Sequence, residues 1–217
     1  SFKSIKYTFI QIRLYKETLK FLFARLIYND ALITIFAFGG IYAKEVFNFT
    51  FNEIFLFGII LNITAGIGAF SMGFLDDKLG GKNTIQLSNY GFIVACSLAV
   101  FSPSVNEIEL FNFIKIDGKM IFWISGVLIG IFSGPNQSAS RSLMGRLTPA
   151  DKKNEFFGFY AFSGKATAFL GPLLFSTIVS FTNSLRYGLS IVIVLFIIGI
   201  YLLSLVDEKE GIKSANN

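Results

Sequence analysis

The sequence predicts an all-α, polytopic membrane protein with six transmembrane helices. Hydrophobic residues make up 53% of the 217 residues and charged residues only 15%, and the mean hydropathy is +0.62. Soluble domains usually hold about 25% charged residues. The charges also stand between six apolar runs, each close to the roughly 20 residues that a helix needs to cross a bilayer.

The apolar runs define the expected elements in chain order. The six expected spans are 19–43, 54–75, 84–101, 120–141, 156–181 and 187–206. Residues 1–18 mix apolar and basic side chains, so this segment is expected to be a linker or an amphipathic segment on the membrane surface. The interval 19–206 is predicted to form one helical bundle, and residues 207–217 form a polar cytoplasmic tail.

Basic residues predict the orientation of the spans. They accumulate before the first span, in the second and fourth connections, and after the sixth span. They are Lys3, Lys6, Arg13, Lys16, Lys20, Lys78, Lys82, Arg141, Arg146, Lys152, Lys153, Lys209 and Lys213. Because basic loops are retained on the cytoplasmic side, both termini are expected there. This topology explains the net charge of +5 without nucleic acid as a partner.

Several enzyme and cofactor classes are excluded by composition. The chain has no histidine, and its single cysteine, Cys96, lies in an apolar run, so neither a disulfide framework nor a His/Cys metal site is expected. No glycine-rich phosphate loop follows a strand. Ser163 and Lys165 form only a nominal Ser–Lys dyad. We therefore expect no enzyme activity, no cofactor and no metal.

Polar side chains inside the spans predict a site at membrane depth. They are Arg25, Asn29 and Asp30 on the first span, Asn62 on the second, Gln137 on the fourth and Lys165 on the fifth. Asp30 lies about 15 Å in from Lys20, and Lys165 about 15 Å beyond Glu155. Both are near the midplane of a hydrocarbon core about 30 Å thick, where a charge needs a partner.

This acid and base suit a proton or a zwitterionic substrate. The alternatives are a structural ion pair, or a Lys165 side chain that snorkels towards the headgroups. The third and sixth spans hold no acidic or basic residue and are expected to face lipid. The other four spans are expected to line an interior.

Small residues recur at intervals of four on two spans, where they allow another helix to approach closely. The positions are Ala65, Ala69 and Gly73 on the second span, and Gly126, Gly130 and Gly134 on the fourth. Gly134-Pro135 and Gly171-Pro172 interrupt two apolar runs, and proline bends a helix. Such interruptions indicate either a moving or binding region of a transporter, or a static kink.

The connection between the second and third spans reads GFLDDKLGGK, residues 73–82. It resembles the signature loop of the major facilitator superfamily. The matching residues are Gly73, Asp77, Lys78, Gly80 and Lys82, while Gly81 stands where that family usually has a base. The resemblance implies that Asp77 and Lys78, with Arg141 at the end of the fourth span, form a cytoplasmic gate. The alternative is an ordinary polar turn.

Three longer stretches resemble the vacuole-effluxer-like branch of this superfamily, whose yeast member is a vacuolar amino-acid effluxer. They read ARLIYNDALITIFAFGGIYA (24–43), SASRSLMGRLTP followed by EFFGFYAFSGKATAFLGPLLF (138–175), and RYGLSIVIVLFIIGIYLLSLVDEKEG (186–211). The residues that match the motifs of the branch are Tyr28, Asn29, Asp30, Ser140, Arg141, Ser142, Gly164, Lys165, Gly171 and Pro172.

The resemblance covers only the C-terminal half of the family, whose members have about twelve spans in two six-helix halves. It implies one half of an alternating-access transporter for a small polar solute, with amino acids favoured, in a bacterial inner membrane. The expected partners are the lipid bilayer, the substrate, and either an N-terminal half or a second copy of this chain. The alternative is a stand-alone six-helix scaffold or a homodimerising half-transporter.

Overall fold

The computed structural model of the chain describes residues 15–103, 108–110 and 114–216. Of the predicted N-terminal segment, residues 1–14 lie outside the described residues. The helices are α1 (Lys16–Phe47), α2 (Phe51–Leu79), α3 (Gly81–Phe101), α4 (Gly118–Arg146), α5 (Lys153–Ala166), α6 (Leu170–Thr182), α7 (Leu185–Ser204) and α8 (Glu208–Asn216). A 3-10 turn, Ala150–Lys152, precedes α5.

Six stretches of the described chain are long and apolar enough to cross a membrane, as predicted. They are α1, α2, α3, α4, the α5–α6 pair and α7. The helices extend beyond the apolar runs because polar residues cap them. Thr50 accepts a hydrogen bond from the backbone N–H of Glu53 and completes a capping box at α2. Asp117 accepts one from the backbone N–H of Met120 at α4.

Two elements differ from the prediction. The fifth span, expected as one helix over 156–181, is two helices, α5 and α6, separated at residues 167–169. Between α3 and α4 the chain forms a short antiparallel hairpin, β1 (Ile108–Leu110) and β2 (Ile114–Ile116), which was not predicted. Its strands have three residues each, too few for a clear alternating pattern.

Glycines set the close approach of α2 and α4. A Cβ atom placed on Gly134 would lie 2.0 Å from the backbone oxygen of Ala65, and one on Gly130 would lie 1.8 Å from the hydroxyl of Thr64. A Cβ atom on Gly126 would fall 2.2 Å from the ring of Phe57. Only glycine therefore permits this helix spacing, which is the small-residue packing typical of membrane helices.

Pro135 does not interrupt α4, which is one helix from Gly118 to Arg146. Proline deprives the carbonyl four residues earlier of its helical donor. That carbonyl, of Ile131, lies directly against Gly68 of α2, where an added Cβ would be 2.0 Å from the oxygen. Close packing of α2 therefore covers the group that the proline leaves exposed.

The spans differ in how much of their surface the bundle buries. In the most apolar 18-residue stretch of each span, the buried share is at least 39% for α1, α3, α4 and α7. The buried share is only 11% for α2 and 17% for α5–α6. α3 and α7 each bury one side and expose an apolar stripe on the other, which includes Val94 on α3 and Ile197 on α7. α2 and α5–α6 therefore carry the most unpartnered surface.

Candidate functional site

The break in the fifth span lies against the polar residues of α1. The Asp30 carboxylate is 2% exposed, and its Oδ2 atom accepts a 2.6 Å hydrogen bond from the backbone N–H of Gly171. Its other oxygen, Oδ1, is buried without a hydrogen-bond partner among the described residues. The first backbone N–H groups of a helix lack acceptors within the helix, and Asp30 supplies one for α6.

Sequence around the break explains why the helix resumes there. Leu170 donates its N–H to the Thr167 carbonyl at 2.8 Å, which closes a tight turn before α6 begins. Pro172 lies in the first turn of α6, where its missing N–H removes no helical bond. A Cβ atom on Gly171 would lie 2.1 Å from the hydroxyl of Thr34, so glycine is needed for α6 to approach α1.

Arg25 joins α1 to α5. One of its terminal nitrogens donates to the Tyr160 carbonyl at 2.8 Å and to the Ser163 hydroxyl at 3.0 Å. Its guanidinium carbon lies 3.6 Å from the centroid of the Tyr160 ring. A Cβ atom on Gly164 would come within 2.8 Å of the guanidinium. The side-chain amide of Asn29 donates to the Gly164 carbonyl at 3.1 Å. Three polar residues of α1 thus contact both sides of the break.

The suggested ion pair between Asp30 and Lys165 is not formed. Asp30 bonds the Gly171 N–H, whereas Lys165 is exposed at the C-terminal end of α5 and forms no ion pair with a described residue. Distance along a helix predicts depth but not the direction in which a side chain points. The break then places Gly171, rather than Lys165, against the carboxylate.

The two predicted amide residues lie apart from this cluster. Asn62 is exposed, donates to the Gly58 carbonyl of its own helix at 2.8 Å, and borders an apolar cavity of about 220 Å³. Aromatic and aliphatic side chains of α1, α2, α3, α4 and α7 line this cavity, among them Phe36 and Leu61. Gln137 is exposed on α4.

A buried chain of hydrogen bonds that the sequence reasoning missed connects α1, α4 and α3. The hydroxyls of Tyr28 and Ser140 are 2.8 Å apart, and Ser140 donates to the Asn136 carbonyl at 2.6 Å. The Asn136 amide donates to the Asn89 side-chain oxygen at 2.9 Å. The available signal was the position of Asn89 and Asn136 within apolar runs, where an amide needs a hydrogen-bond partner.

A charged cluster lies at the end of the bundle that carries α8. Arg146 pairs with Asp76 at 2.7 Å and with Glu208 at 3.6 Å. The Glu208 carboxylate also accepts from the backbone N–H groups of Gly81 at 3.2 Å and Lys82 at 3.0 Å, at the start of α3. Carboxylates are favourable at this position because a helix N-terminus carries partial positive charge. The cluster therefore joins α2, α3, α4 and α8.

Gly80, between α2 and α3, allows the Glu208 carboxylate of this cluster to approach the backbone closely. Gly80 has φ +83°, in the region that favours glycine, and a Cβ atom there would lie 3.1 Å from a Glu208 carboxylate oxygen. Glu17, at the start of α1, accepts the backbone N–H of Asp207 at 2.6 Å. α8 is therefore held by hydrogen bonds and ion pairs to the ends of three spans.

The structure places different residues in this cluster from those predicted for a gate. Lys78 and Arg141 are exposed and form no ion pair with a described residue, and the side chain of Asp77 lies outside the described residues. Asp76 and Arg146 form the pair instead. Neighbouring positions on a helix point about 100° apart, so the motif alone did not identify the contacting acid.

No described group of three or more His, Cys, Asp or Glu side chains is close enough to hold a metal ion.

Comparison with solved structures identifies the fold. One similar structure is the inward open conformation of the xylose transporter XylE from E. coli, with TM-score 0.69 and 17% identity over 89% of this chain and 48% of that chain. Another is the proton:xylose symporter XylE bound to 6-bromo-6-deoxy-D-glucose, with TM-score 0.70, 16% identity, and 93% and 48% coverage. The six spans thus form one half of a major facilitator superfamily fold, and the chain is an integral, multi-pass membrane protein.

The chain belongs to the family described as "Vacuole effluxer Atg22 like", whose model matches residues 1–216. It is 27% identical to the uncharacterized MFS-type transporter YxiO of Bacillus subtilis (strain 168), over 97% of this chain and 46% of that protein. It is 24% identical to Autophagy-related protein 22 of Saccharomyces cerevisiae (strain YJM789), over 96% of this chain and 39% of that protein. The chain therefore spans less than half the length of these relatives, and the resemblance seen in the sequence is confirmed.

Proposed function

We propose that this chain is the C-terminal half of a secondary active transporter that moves a small polar solute by alternating access. Membership of the family and the fold support this proposal. Amino acids are the favoured cargo because of the resemblance to the effluxer branch. The cavity would lie between this half and its partner half, lined by α1, α2, α4 and α5–α6.

The observation that carries the proposal is the broken fifth span and its contacts with α1. Non-helical backbone at membrane depth is tolerated only where protein or a water-filled cavity satisfies it. Discontinuous helices also form the substrate and ion sites of many transporters. Here the break lies beside Arg25, Asn29 and Asp30, with Lys165 next to it. The partnerless Oδ1 atom of Asp30 is the proposed site of a coupling proton.

The least buried helices are the proposed contact surface for an N-terminal half. α2 exposes large apolar side chains, including Phe55 and Phe70, and α5–α6 exposes Phe162 and Phe169. These spans bury far less of their surface within the chain than the others do. The relatives are more than twice as long as the matched region, which leaves a second half to cover both surfaces. A second copy of this chain is the alternative occupant.

The cluster of Asp76, Arg146 and Glu208 is proposed to stabilise the conformation in which the α8 end of this half is closed. We place this end, and with it both termini, on the cytoplasmic side of a bacterial inner membrane, as the basic loops predict. Lys78, Asp77 and Arg141 remain proposed gate residues that would contact the partner half.

The proposal is tested by uptake of amino acids into proteoliposomes that contain the full-length transporter. Asp30→Asn keeps an oxygen that can accept the Gly171 N–H but removes the charge, so we expect it to abolish transport while the protein stays folded and inserted. Lys165→Met should also abolish transport, because it removes a charge of the proposed site. The variant should stay folded, since Lys165 is exposed and makes no contact that folding requires. The control is Asp151→Asn, which changes an exposed carboxylate in the turn before α5.

Near-normal uptake by both variants would disprove the proposed site. The scaffold alternative is tested separately by the intact mass of the native gene product. Family members have about twelve spans. If this chain is half of a transporter, we therefore expect the native polypeptide to be about twice the size of this chain.

A further inference from the structure

We propose that the apolar cavity of about 220 Å³ that opens between α1 and α2 (the α1–α2 cavity) binds an apolar group of the transported solute. Gly39 and Gly58, which line it, set the size of that group. This inference rests on the proposed transport function and assigns the class of substrate, a solute that carries an aromatic ring or a branched aliphatic chain.

The α1–α2 cavity opens near the middle of the bundle. Phe36 on α1 and Asn62 on α2 are the exposed residues of its lining, so its mouth lies between them. Each is eleven residues, about 16 Å, from the connection that joins the two helices. In a hydrocarbon core about 30 Å thick, this is close to the midplane, where many transporters bind their solutes. Asn62 also lies two turns after Phe55, on the surface of α2 proposed to face the partner half.

Buried apolar side chains close the inner end of the α1–α2 cavity. They include Cys96 on α3, Phe122 and Ile129 on α4, and Leu189 on α7, none of which is more than 6% exposed. Such a lining offers water few hydrogen-bond partners, and an engineered apolar cavity of about 150 Å³ stays dry and binds benzene. Since this cavity has about 220 Å³, it has room for one aromatic ring or one branched aliphatic chain.

Two glycines of the lining are not needed for helix packing. A Cβ atom on Gly39 or Gly58 would meet no side chain or neighbouring backbone of the described chain within 4 Å. Gly58 lies between Ile54 and Asn62, one turn before and one turn after it, on the face of α2 that lines the cavity. Glycine is unfavourable inside a helix. What the two positions supply is therefore space inside the cavity.

Asn62 gives the mouth of the cavity one polar group. Its side-chain N–H donates to the Gly58 carbonyl, and its side-chain oxygen accepts no hydrogen bond from a described residue. An amide oxygen is an acceptor, so it is available to an N–H or O–H group of the solute. A solute with an apolar group inside the cavity and a donor at the mouth matches this arrangement. Amino acids with large apolar side chains have both features.

The test measures thermal stabilisation of the full-length transporter in detergent by phenylalanine, leucine, alanine and glycine. We expect phenylalanine or leucine to bind at least about tenfold more tightly than alanine and glycine, because even one methylene in an apolar pocket changes affinity by about tenfold or more. Gly58→Leu fills the cavity from α2 and should weaken that binding by at least about tenfold. The control is Gly66→Leu on the same helix, which also extends into open space but does not line the cavity, and it should leave the affinity unchanged.

The melting temperature without ligand separates a solute from a side chain of the partner half as the occupant. If the space is free for a solute, Gly58→Leu should leave this temperature unchanged or raise it, because filling an empty cavity stabilises a protein. Gly39→Leu fills the same space from α1 and provides the test if Gly58→Leu alone fails to fold. A lower melting temperature in both variants would mean that the space is already filled, and would overturn the proposal.

Three binding results would also overturn it. They are stabilisation by neither phenylalanine nor leucine, equal affinity for phenylalanine and glycine, and phenylalanine affinity that neither Gly58→Leu nor Gly39→Leu changes. The first is also the result expected if a lipid chain occupies the cavity.

Uptake into proteoliposomes distinguishes the cavity from the transport function. Binding of phenylalanine or leucine that Gly58→Leu weakens, without uptake of either, would support the cavity site but contradict the proposed transporter. Uptake of glycine or alanine with no preference for large apolar side chains would support the transporter and overturn the cavity site.

Discussion

Gly134 provides the sharpest test of how the bundle is packed. A Cβ atom on Gly134 would lie 2.0 Å from the Ala65 backbone oxygen and 2.9 Å from the Ala69 Cβ. Ordinary van der Waals contact begins near 3.4 Å, so α2 and α4 would have to move apart by about 1.4 Å in Gly134→Ala. Because the obstructing atom belongs to the backbone, no change of rotamer can relieve the contact.

Two energetic effects oppose each other in this substitution. Alanine is favoured over glycine inside a helix by about 1 kcal/mol. Overpacking a core costs about 1–3 kcal/mol, and the upper part of that range applies when backbone atoms must move. We therefore expect Gly134→Ala to destabilise the protein by about 2 kcal/mol.

Thermal unfolding of the purified full-length protein in detergent measures this effect. The control is Gly145→Ala on the same helix, where the added Cβ would lie 3.9 Å from Phe157, an ordinary contact. We expect the melting temperature to fall by several degrees in Gly134→Ala and to stay unchanged or rise in Gly145→Ala. A melting temperature of Gly134→Ala at or above that of the unmodified protein would refute the packing argument.

Three further predictions concern the helix break, the buried hydrogen bonds and α8. Gly171→Ala should lower the melting temperature because its Cβ would lie 2.1 Å from the Thr34 hydroxyl, and Thr34→Ala should restore part of the loss; additive effects would contradict this. Tyr28→Phe removes a buried hydrogen bond to α4 and should cost about 1 kcal/mol in unfolding free energy, whereas no change would exclude a stabilising role for that bond. The backbone N–H of Glu210 donates to Asp207 and lowers the pKa of that carboxyl group. The ionised carboxylate therefore stabilises α8 fully at pH values above its unfolded pKa of about 3.9. This stabilisation is lost as the pH falls through the lower pKa of the folded state. A fluorescent label on α8 should therefore become more mobile in acid. Asp207→Asn should make this pH step smaller and leave the part that comes from the carboxylates of Glu17 and Glu208.

The break in the fifth span shows where sequence reasoning stopped. Gly171-Pro172 indicated an interruption, and Pro135 gave a similar signal on α4. The chain separates into two helices at the first site and continues as one helix at the second. The difference is tertiary: around Pro135, α4 packs closely along α2, whereas at the break in the fifth span Asp30 accepts the Gly171 N–H and stabilises a new helix start.

The sequence by itself determined the membrane class, the six spans and the set of polar residues at membrane depth. These follow from local quantities, namely apolar run length and the cost of charge in hydrocarbon. It also identified the family, because motifs are local. Only the tertiary structure decided which polar groups meet. Asp30 contacts Gly171 rather than Lys165, and Arg146 pairs with Asp76 and Glu208 rather than with the predicted gate. Such contacts depend on helix rotation and crossing, which side chains from distant parts of the chain decide together.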